Sequence, residues 1–272
     1  MSEQSDPRPS WVVLLVVGLV GGLLSGAFGV GGGVIMVPLL LWLARLDERQ
    51  ASAISLSAVF PASVVGSVGY LLHGQVDLLA AAALAVGGIP GALLGTWLVR
   101  RIPVSLLRWL FIALLAVVAV RTLLAPDESF GVYHVNWLSI VLLVLVGVGT
   151  GLASGLFGVG GGVIVVPALT LGFGFAPLVA KGTSLLMMIV SSGTGTASHF
   201  RRGTLDLRSS AIVAAAAIIA SYGGVLLALA MSSTVSQLLF AVLLLATVVQ
   251  LTIRAVRLQR AGALSRGSST GR

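Results

Sequence analysis

The stretch SGAFGVGGGVIMVP at residues 25–38 decides the fold, because it returns 129 residues later, at 154–167, as SGLFGVGGGVIVVP. Twelve of the fourteen residues are identical, and matches outside the stretch, such as Ser55 with Ser184, keep the same offset without a gap. The chain is therefore an internal duplication. Glycine has the largest backbone entropy cost of any residue in a helix, so a cluster of glycines interrupts one. We expect one helix break in each half.

The composition is that of a membrane protein. Hydrophobic residues make up 57% of the chain, charged residues 9%, and the mean hydropathy is +1.10, whereas a soluble domain has about 25% charged residues. The N-terminal apolar run lacks a basic leader and a cleavage site, so we interpret it as an uncleaved first helix. Further apolar stretches long enough to cross a bilayer, about 20 residues, lie at 51–72, 76–99, 104–124, 137–157, 176–200, 207–230 and 235–253. The sequence predicts an all-α, polytopic membrane protein.

The duplication and the basic residues predict the organisation of the chain. We expect an N-terminal cytoplasmic tail at 1–10, a first repeat at 11–125, a linker at 126–136, a second repeat at 137–254 and a basic tail at 255–272. Lys and Arg collect in cytoplasmic loops, which places the arginine-rich C-terminus in the cytoplasm. Counting helices back from there puts equivalent loops of the two repeats on opposite faces. This is typical of inverted-topology repeats.

The same count predicts that each glycine run is the tip of a re-entrant-like hairpin. The first hairpin begins and ends inside and the second outside, and three full transmembrane helices complete each repeat. The first returning arm, residues 34–44, would cover some 16 Å, about half of a ~30 Å hydrocarbon core. We expect Pro38 and Pro167 in the first turns of the returning arms, where a missing N–H is least costly.

A broken helix offers unpaired backbone N–H groups and the positive end of a helix dipole, so it can hold a small anion. A serine one turn before each break adds a hydroxyl donor. The candidate substrate-binding residues at the two breaks are Ser25, Gly29, Gly31, Gly32, Gly33, Ser154, Gly158, Gly160, Gly161 and Gly162.

Other glycines are better explained by helix packing. Those at four-residue spacing, Gly18-Gly22-Gly26, Gly147-Gly151-Gly155 and Gly87-Gly91-Gly95, have the spacing of close helix contacts. Three consecutive glycines, as at 31–33 and 160–162, would destabilise any helix that used them as a packing surface. A helix break that faces the substrate explains them better.

Polar residues at membrane depth indicate a pathway for a polar solute through the protein. Among the hydroxyls of the first full helix in each repeat we select the matched pairs Ser55 with Ser184 and Ser63 with Ser192, although hydroxyls also bond their own helix carbonyls. Lys181, the only lysine, either attracts an anion or snorkels to the interface. Asp77 and Asp206 are interpreted as helix caps, with a proton relay as the alternative.

Several classes of function are excluded by what the sequence lacks. Without cysteine there is no disulfide, thiolate or iron–sulfur chemistry. The three histidines, His73, His134 and His199, have no metal-ligand spacing. No nucleotide-binding loop occurs, and the basic residues are not interleaved with aromatics as in nucleic-acid binders. We predict no catalytic residues, metal, cofactor or nucleic acid. Because the chain has no nucleotide-binding loop, any movement of a solute through it would be driven by a proton or cation gradient, by the membrane potential or by a partner protein.

The doubled SGxFGVGGGxxxxP motif, the repeat of about 130 residues and the length near 270 resemble the sulfite exporter TauE/SafE family. The resemblance covers nearly the whole chain, from Trp11 to Arg257. It implies a multi-pass protein of a prokaryotic cell (inner) membrane and a secondary transporter that exports small sulfur-containing anions such as sulfite or an organosulfonate.

Two other functions stay open. One is a passive anion channel; the other is a membrane-embedded enzyme, which the position of the titratable groups at helix ends disfavours. Substrate identity, transport direction, coupling ion and oligomeric state do not follow from the sequence.

Overall fold

The computed structural model describes residues 9–46, 48–98, 104–124, 136–157, 160–201 and 205–269, and within these ranges it is helical without β-strands. A π-helical turn, Ala168–Gly172, directly continues α7. The helices of the described ranges are α1 Trp11–Phe28, α2 Gly33–Leu43, α3 Glu48–Leu72, α4 Leu78–Leu98, α5 Val104–Leu124, α6 Trp137–Phe157, α7 Gly162–Pro167, α8 Pro177–Arg201, α9 Leu207–Ala230 and α10 Ser233–Ser269. The predicted all-α fold is confirmed.

Five helices of the described ranges are long and apolar enough to cross a membrane. These spans are Trp11–Phe28, Gln50–Leu72, Trp137–Ser154, Leu207–Ala230 and Ser233–Arg257. Helices α4 and α5 have 21 residues each and α8 has 25, so each is about 30 Å long or longer. Large apolar side chains on the outer surface, such as Leu93 at 66% and Ile219 at 74% exposure, suit lipid. The protein is a polytopic membrane protein, as predicted.

The helix breaks fall at the glycine clusters. Helix α1 ends at Phe28, and Gly31 and Gly32 have φ values of +80° and +67° before α2 begins. In the second half Gly160 and Gly161 have φ values of +84° and +85° before α7. Residues other than glycine rarely adopt these values. The 11 residues of α2 agree within one residue with the predicted returning arm.

The prolines of the returning arms lie deeper than expected. Pro38 and Pro167 are each the sixth residue of their helix, so the prediction of a first-turn position is wrong. Each ring removes one helical hydrogen bond in the second turn. The second arm changes to the π-helical turn directly after Pro167, which is where the regular bonding pattern is interrupted.

Glycine stripes join one helix from each half in two close pairs. In the pair of α1 with α9, a β-carbon added at Gly22 would lie 2.6 Å from Cα of Ala217, and Gly26 packs on Ser221 in the same way. Residue numbers rise together along both helices, so the pair is parallel. The pair of α4 with α6 repeats this arrangement, with Gly91 against Val148. The packing interpretation of these glycines is confirmed; the side chains around Gly95 and Gly155 lie outside the described residues.

At the centre, the equivalent helices α3 and α8 pack antiparallel. A β-carbon at Gly195 would lie 3.0 Å from a Leu56 methyl, and one at Gly182 would lie 2.7 Å from Cβ of Tyr70. Higher numbers in α3 thus meet lower numbers in α8. Two copies of one helix therefore run in opposite directions in the core.

Both predicted aspartate caps are confirmed. Asp77 accepts a hydrogen bond from the amide of Ala80 at 2.8 Å, at the start of α4. Asp206 accepts one from the amide of Arg208 at 3.2 Å, at the start of α9. Such caps satisfy amides that have no partner within the helix. The amide of Asp77 also donates to Thr183 of α8 at 2.9 Å, which links the two halves.

Candidate functional site

The two glycine tips touch each other. We call residues 29–33 the first tip and residues 158–162 the second; Gly158 of the second lies outside the described residues. A β-carbon at Gly162 would lie 2.6 Å from the carbonyl oxygen of Gly29 and 2.9 Å from the carbonyl carbon of Val30. The first tip and residues 160–162 of the second are buried. The hairpins therefore meet inside the protein.

The tips contain backbone donors that find no acceptor among the described residues. In the first tip Gly33 donates to the carbonyl of Gly31 at 2.8 Å, and Met36 to that of Gly32 at 2.8 Å. The amides of Gly31, Gly32, Gly161 and Gly162 find no acceptor among the described residues, and neither do those of Val34 and Val163, which directly follow the tips. Buried amides in folded proteins are nearly always paired with protein or water. These amides can serve a small ligand rich in acceptors.

Three predicted serines have buried hydroxyls that find no partner in the described part of the chain. They are Ser25, Ser55 and Ser63, each 0% exposed. A buried hydroxyl without a partner costs about 1–3 kcal/mol, unless a ligand or water supplies the missing bond. Ser154, the counterpart of Ser25, is also buried.

The matched serines of the second half have partners. Ser184 donates to the carbonyl of Gly29 at 2.8 Å and so links α8 to the first tip. Ser192 donates to the carbonyl of Met188 at 2.6 Å. This is a bond within its own helix, which was the alternative to a role in the pathway. The two halves therefore present their hydroxyls differently, although the residues match.

Lys181 is buried inside the protein. Its side chain is 4% exposed, its Nζ donates to Ser236 Oγ at 2.5 Å and lies 5.8 Å from the ring centre of Phe28. Its Cα packs against the first tip, 2.6 Å from a β-carbon placed at Gly29. Within the described part of the chain no carboxylate contacts it. The ammonium thus has donors left for a ligand.

A cavity of about 1060 Å³ opens beside Lys181, between α5, α7, the π-helical turn, α8 and α10. No carboxylate of the described residues lines it. Its polar lining residues are Arg121, Thr122, Thr170, Lys181, Ser236 and Gln237. Since two of these are cationic, the cavity suits an anion.

Sequence reasoning missed Thr150, another buried hydroxyl without a partner in the described ranges. It lies against the second tip, where a β-carbon at Gly161 would lie 3.1 Å from its carbonyl oxygen. The corresponding position of the first repeat is Gly21, so the repeat register supplied no matched hydroxyl that could have indicated it. Groups of three or more metal-ligating side chains do not occur in the described ranges.

A family model described as "Sulfite exporter TauE/SafE" matches residues 1–122 and 143–271. The chain belongs to this family. Members of the sulfite exporter TauE/SafE family are membrane transporters, which agrees with a polytopic fold around a buried polar centre. No solved structure matches the chain.

The chain is also similar to proteins that are named as probable membrane transporters or as members of the same family. The probable membrane transporter YunE of Bacillus subtilis is 26% identical over 221 residues, 72% of this chain and 81% of YunE. The probable membrane transporter MamO of Magnetospirillum gryphiswaldense is 41% identical over 116 residues, 40% of this chain and 18% of MamO. The sulfite exporter TauE/SafE family protein 1 of Arabidopsis thaliana is 33% identical over 95 residues, 35% of this chain and 21% of that protein.

Proposed function

We propose that the protein is a secondary transporter that exports a small sulfur-containing anion, such as sulfite or an organosulfonate, across a prokaryotic inner membrane. The observation that carries this proposal is the buried contact between the described residues of two glycine tips, whose amides find no acceptor among those residues. Sulfite is small, negatively charged and rich in acceptor oxygens. These properties match bare amides at helix N-termini.

The proposed site combines these amides with the hydroxyls of Ser25, Ser55 and Ser63, which have no other partner in the described chain. Ser154, Ser184 and Ser192 would support it from the second half, and Gly158 would complete the second tip. Hydrogen bonds to a charged acceptor are stronger than those to a neutral one. Binding would therefore offset the cost of the unpaired donors.

Lys181 would attract the anion to the tips through the cavity. It lines the cavity with its side chain and packs against Gly29 with its backbone. A buried ammonium without a carboxylate partner raises the local potential strongly in a low-dielectric setting. The cavity would be the outer vestibule, because α8 and α10 begin on the outer face in the proposed topology.

We infer two inverted repeats, 11–125 and 137–254, joined by the linker 126–136, with the tails 1–10 and 255–272 in the cytoplasm. The antiparallel packing of α3 on α8 supports this inversion, since repeats of the same orientation would have parallel counterparts. Alternating access would come from one bundle rocking against the other about the tips. The membrane potential, about 2.3 kcal/mol per charge per 100 mV, favours exit of an anion; a proton or cation gradient is the other coupling source.

We infer transport without catalysis. An enzyme needs acids, bases or nucleophiles that converge on one reacting atom. The aspartates of the described helices, Asp77 and Asp206, are engaged as caps at helix starts. The tips themselves supply backbone amides, which bind anions and transfer no group.

Uptake of labelled sulfite into proteoliposomes tests the proposal. We expect saturable flux that responds to an imposed potential or cation gradient. Sulfite and organosulfonate flux no faster than in protein-free vesicles would contradict transport, and a large single-channel conductance in a planar bilayer would favour the passive channel. Transport that survives bulky substitutions at both Gly32 and Gly161 would contradict the tips as the site.

A further inference from the structure

One apolar side chain lies between the two tips. Met188 of α8 is fully buried, and a β-carbon added at either Gly31 or Gly160 would touch its terminal methyl. A β-carbon at Gly162 would lie 2.8 Å from its Sδ. The equivalent residue of the first repeat, Val59, approaches the same place, with its Cγ1 3.3 Å from a β-carbon at Gly31 and 3.4 Å from one at Gly160.

Met188 also lies between polar groups of α8 and a polar group of α3. Towards the cavity lie Lys181 and Ser184, the latter bonded to the first tip. On the other side lies Ser55, because α3 runs antiparallel to α8 and Leu56 packs against Gly195. An anion that moves between these groups must pass an apolar constriction, and such constrictions exclude hydrated ions.

We propose that Met188 is the side chain that obstructs the pathway between the tips. It fills the gap between the tips, and an anion passes when the thioether rotates aside. Methionine is unbranched with three rotatable bonds, whereas Val59 is β-branched and stiff at χ1. The movable element is therefore on the α8 side. This inference rests on the proposed passage of an anion between the tips.

The chain supplies matched variants. Met188→Val copies the equivalent residue Val59. Met187 is the neighbouring methionine and is equally buried, but it packs against α4, 2.8 Å from a β-carbon placed at Gly88. Met187→Val therefore removes the same atoms from the same helix without widening the gap between the tips.

Single cysteines make the gap measurable, because the native chain has none. A cysteine at Ser184→Cys lies on the Lys181 side of Met188, and a cysteine at Ser55→Cys lies on the opposite side. The labelling rate of each cysteine therefore measures access of a reagent to that side. A negatively charged methanethiosulfonate reagent is added to the Lys181 side of oriented vesicles, and the labelling rate is measured. Met188→Val should raise the rate at Ser55→Cys about tenfold, a barrier lower by about 1.4 kcal/mol, and leave Ser184→Cys unchanged. Met187→Val should change neither rate.

An unchanged rate at Ser55→Cys in Met188→Val overturns the inference, and so does an equal rise in Met187→Val. Thermal unfolding of each variant excludes a rise caused by general loosening, since the two valine variants should unfold at similar temperatures. Labelling does not require sulfite flux. If labelling changes as expected but no sulfite flux is found, the constriction is supported and the proposed function is contradicted. If sulfite flux is found but labelling is unchanged, the proposed function is supported and the constriction is contradicted.

Discussion

Ser55 and Ser184 occupy the same position in the two repeats and differ in their hydrogen bonds. Ser184→Ala removes the bond to the carbonyl of Gly29 and should lower the free energy of unfolding by about 1 kcal/mol. Ser55→Ala removes a hydroxyl without a partner in the described structure, so stability should not fall. If the anion binds this hydroxyl, the KM for sulfite should rise about fivefold, as for a lost bond of about 1 kcal/mol. Thermal unfolding in detergent and flux assays measure the two effects.

Lys181 offers a second residue-scale prediction. Lys181→Met keeps an apolar stem over Phe28 and removes the charge. The KM for sulfite should rise about tenfold or more, since hydrogen bonds to charged groups contribute about 1.5–3 kcal/mol. Lys181→Arg keeps the charge and is the control. Unchanged KM in Lys181→Met would show that the cavity does not guide the substrate.

At the scale of residues, the sequence was sufficient to predict candidate site residues but not their hydrogen-bond partners. The repeat register selected Ser25, Ser55 and Ser63, which are buried and unpaired within the described chain. It could not tell that Ser184 bonds a tip while Ser55 does not, because that depends on which backbone lies across the helix interface. The sequence does not predict a role for Met188, because a methionine in an apolar helix has no distinguishing pattern.

At the scale of elements, the helix pairs α1 with α9 and α4 with α6 depend on glycines. Gly22→Ala places a β-carbon 2.6 Å from Cα of Ala217, so the helices must separate, at a cost of about 1–3 kcal/mol. Gly149→Ala is the matched control on α6, where nothing lies within 4 Å of the new carbon. That variant should be neutral or more stable by up to about 1 kcal/mol, from helix propensity. Equal unfolding temperatures of the two variants would contradict the pairing.

The glycine clusters allowed the breaks and the length of the returning arm to be predicted, because the backbone requirement is local. The same logic failed for Pro38, since a missing N–H in the second turn is tolerated once other contacts hold the arm. Spacing of small residues showed which helix faces pack closely. It could not show that α1 pairs with α9 of the other half, since a glycine stripe specifies a close approach and not its partner.

At the scale of the whole molecule, the two halves are interleaved rather than side by side. Helix α3 packs on both α8 and α9, and a β-carbon at Gly69 would lie 3.5 Å from Cβ of Val225. That distance suits a disulfide, for which about 3.5–4.5 Å is required. Gly69→Cys with Val225→Cys should therefore form a bond under oxidation, in a chain that has no other cysteine.

A protease site placed in the linker 126–136 reveals this bond. After cleavage, the oxidised double variant should run as one band on a gel and the reduced form as two. The pair Gly149→Cys with Val225→Cys is the control, because nothing lies within 4 Å of a β-carbon at Gly149. Two bands under oxidation in the Gly69 pair would contradict the interleaved arrangement.

The central claim is that the amides of both glycine tips bind the transported anion, and a structure determined with selenite tests it most directly. Selenite has the shape and charge of sulfite, and selenium gives an anomalous signal that locates it. We predict a peak whose oxygens lie about 2.7–3.2 Å from an amide of each tip, Gly31 or Gly32 in the first and Gly161 or Gly162 in the second. A peak at Lys181 alone, or none at saturating selenite, would contradict the account.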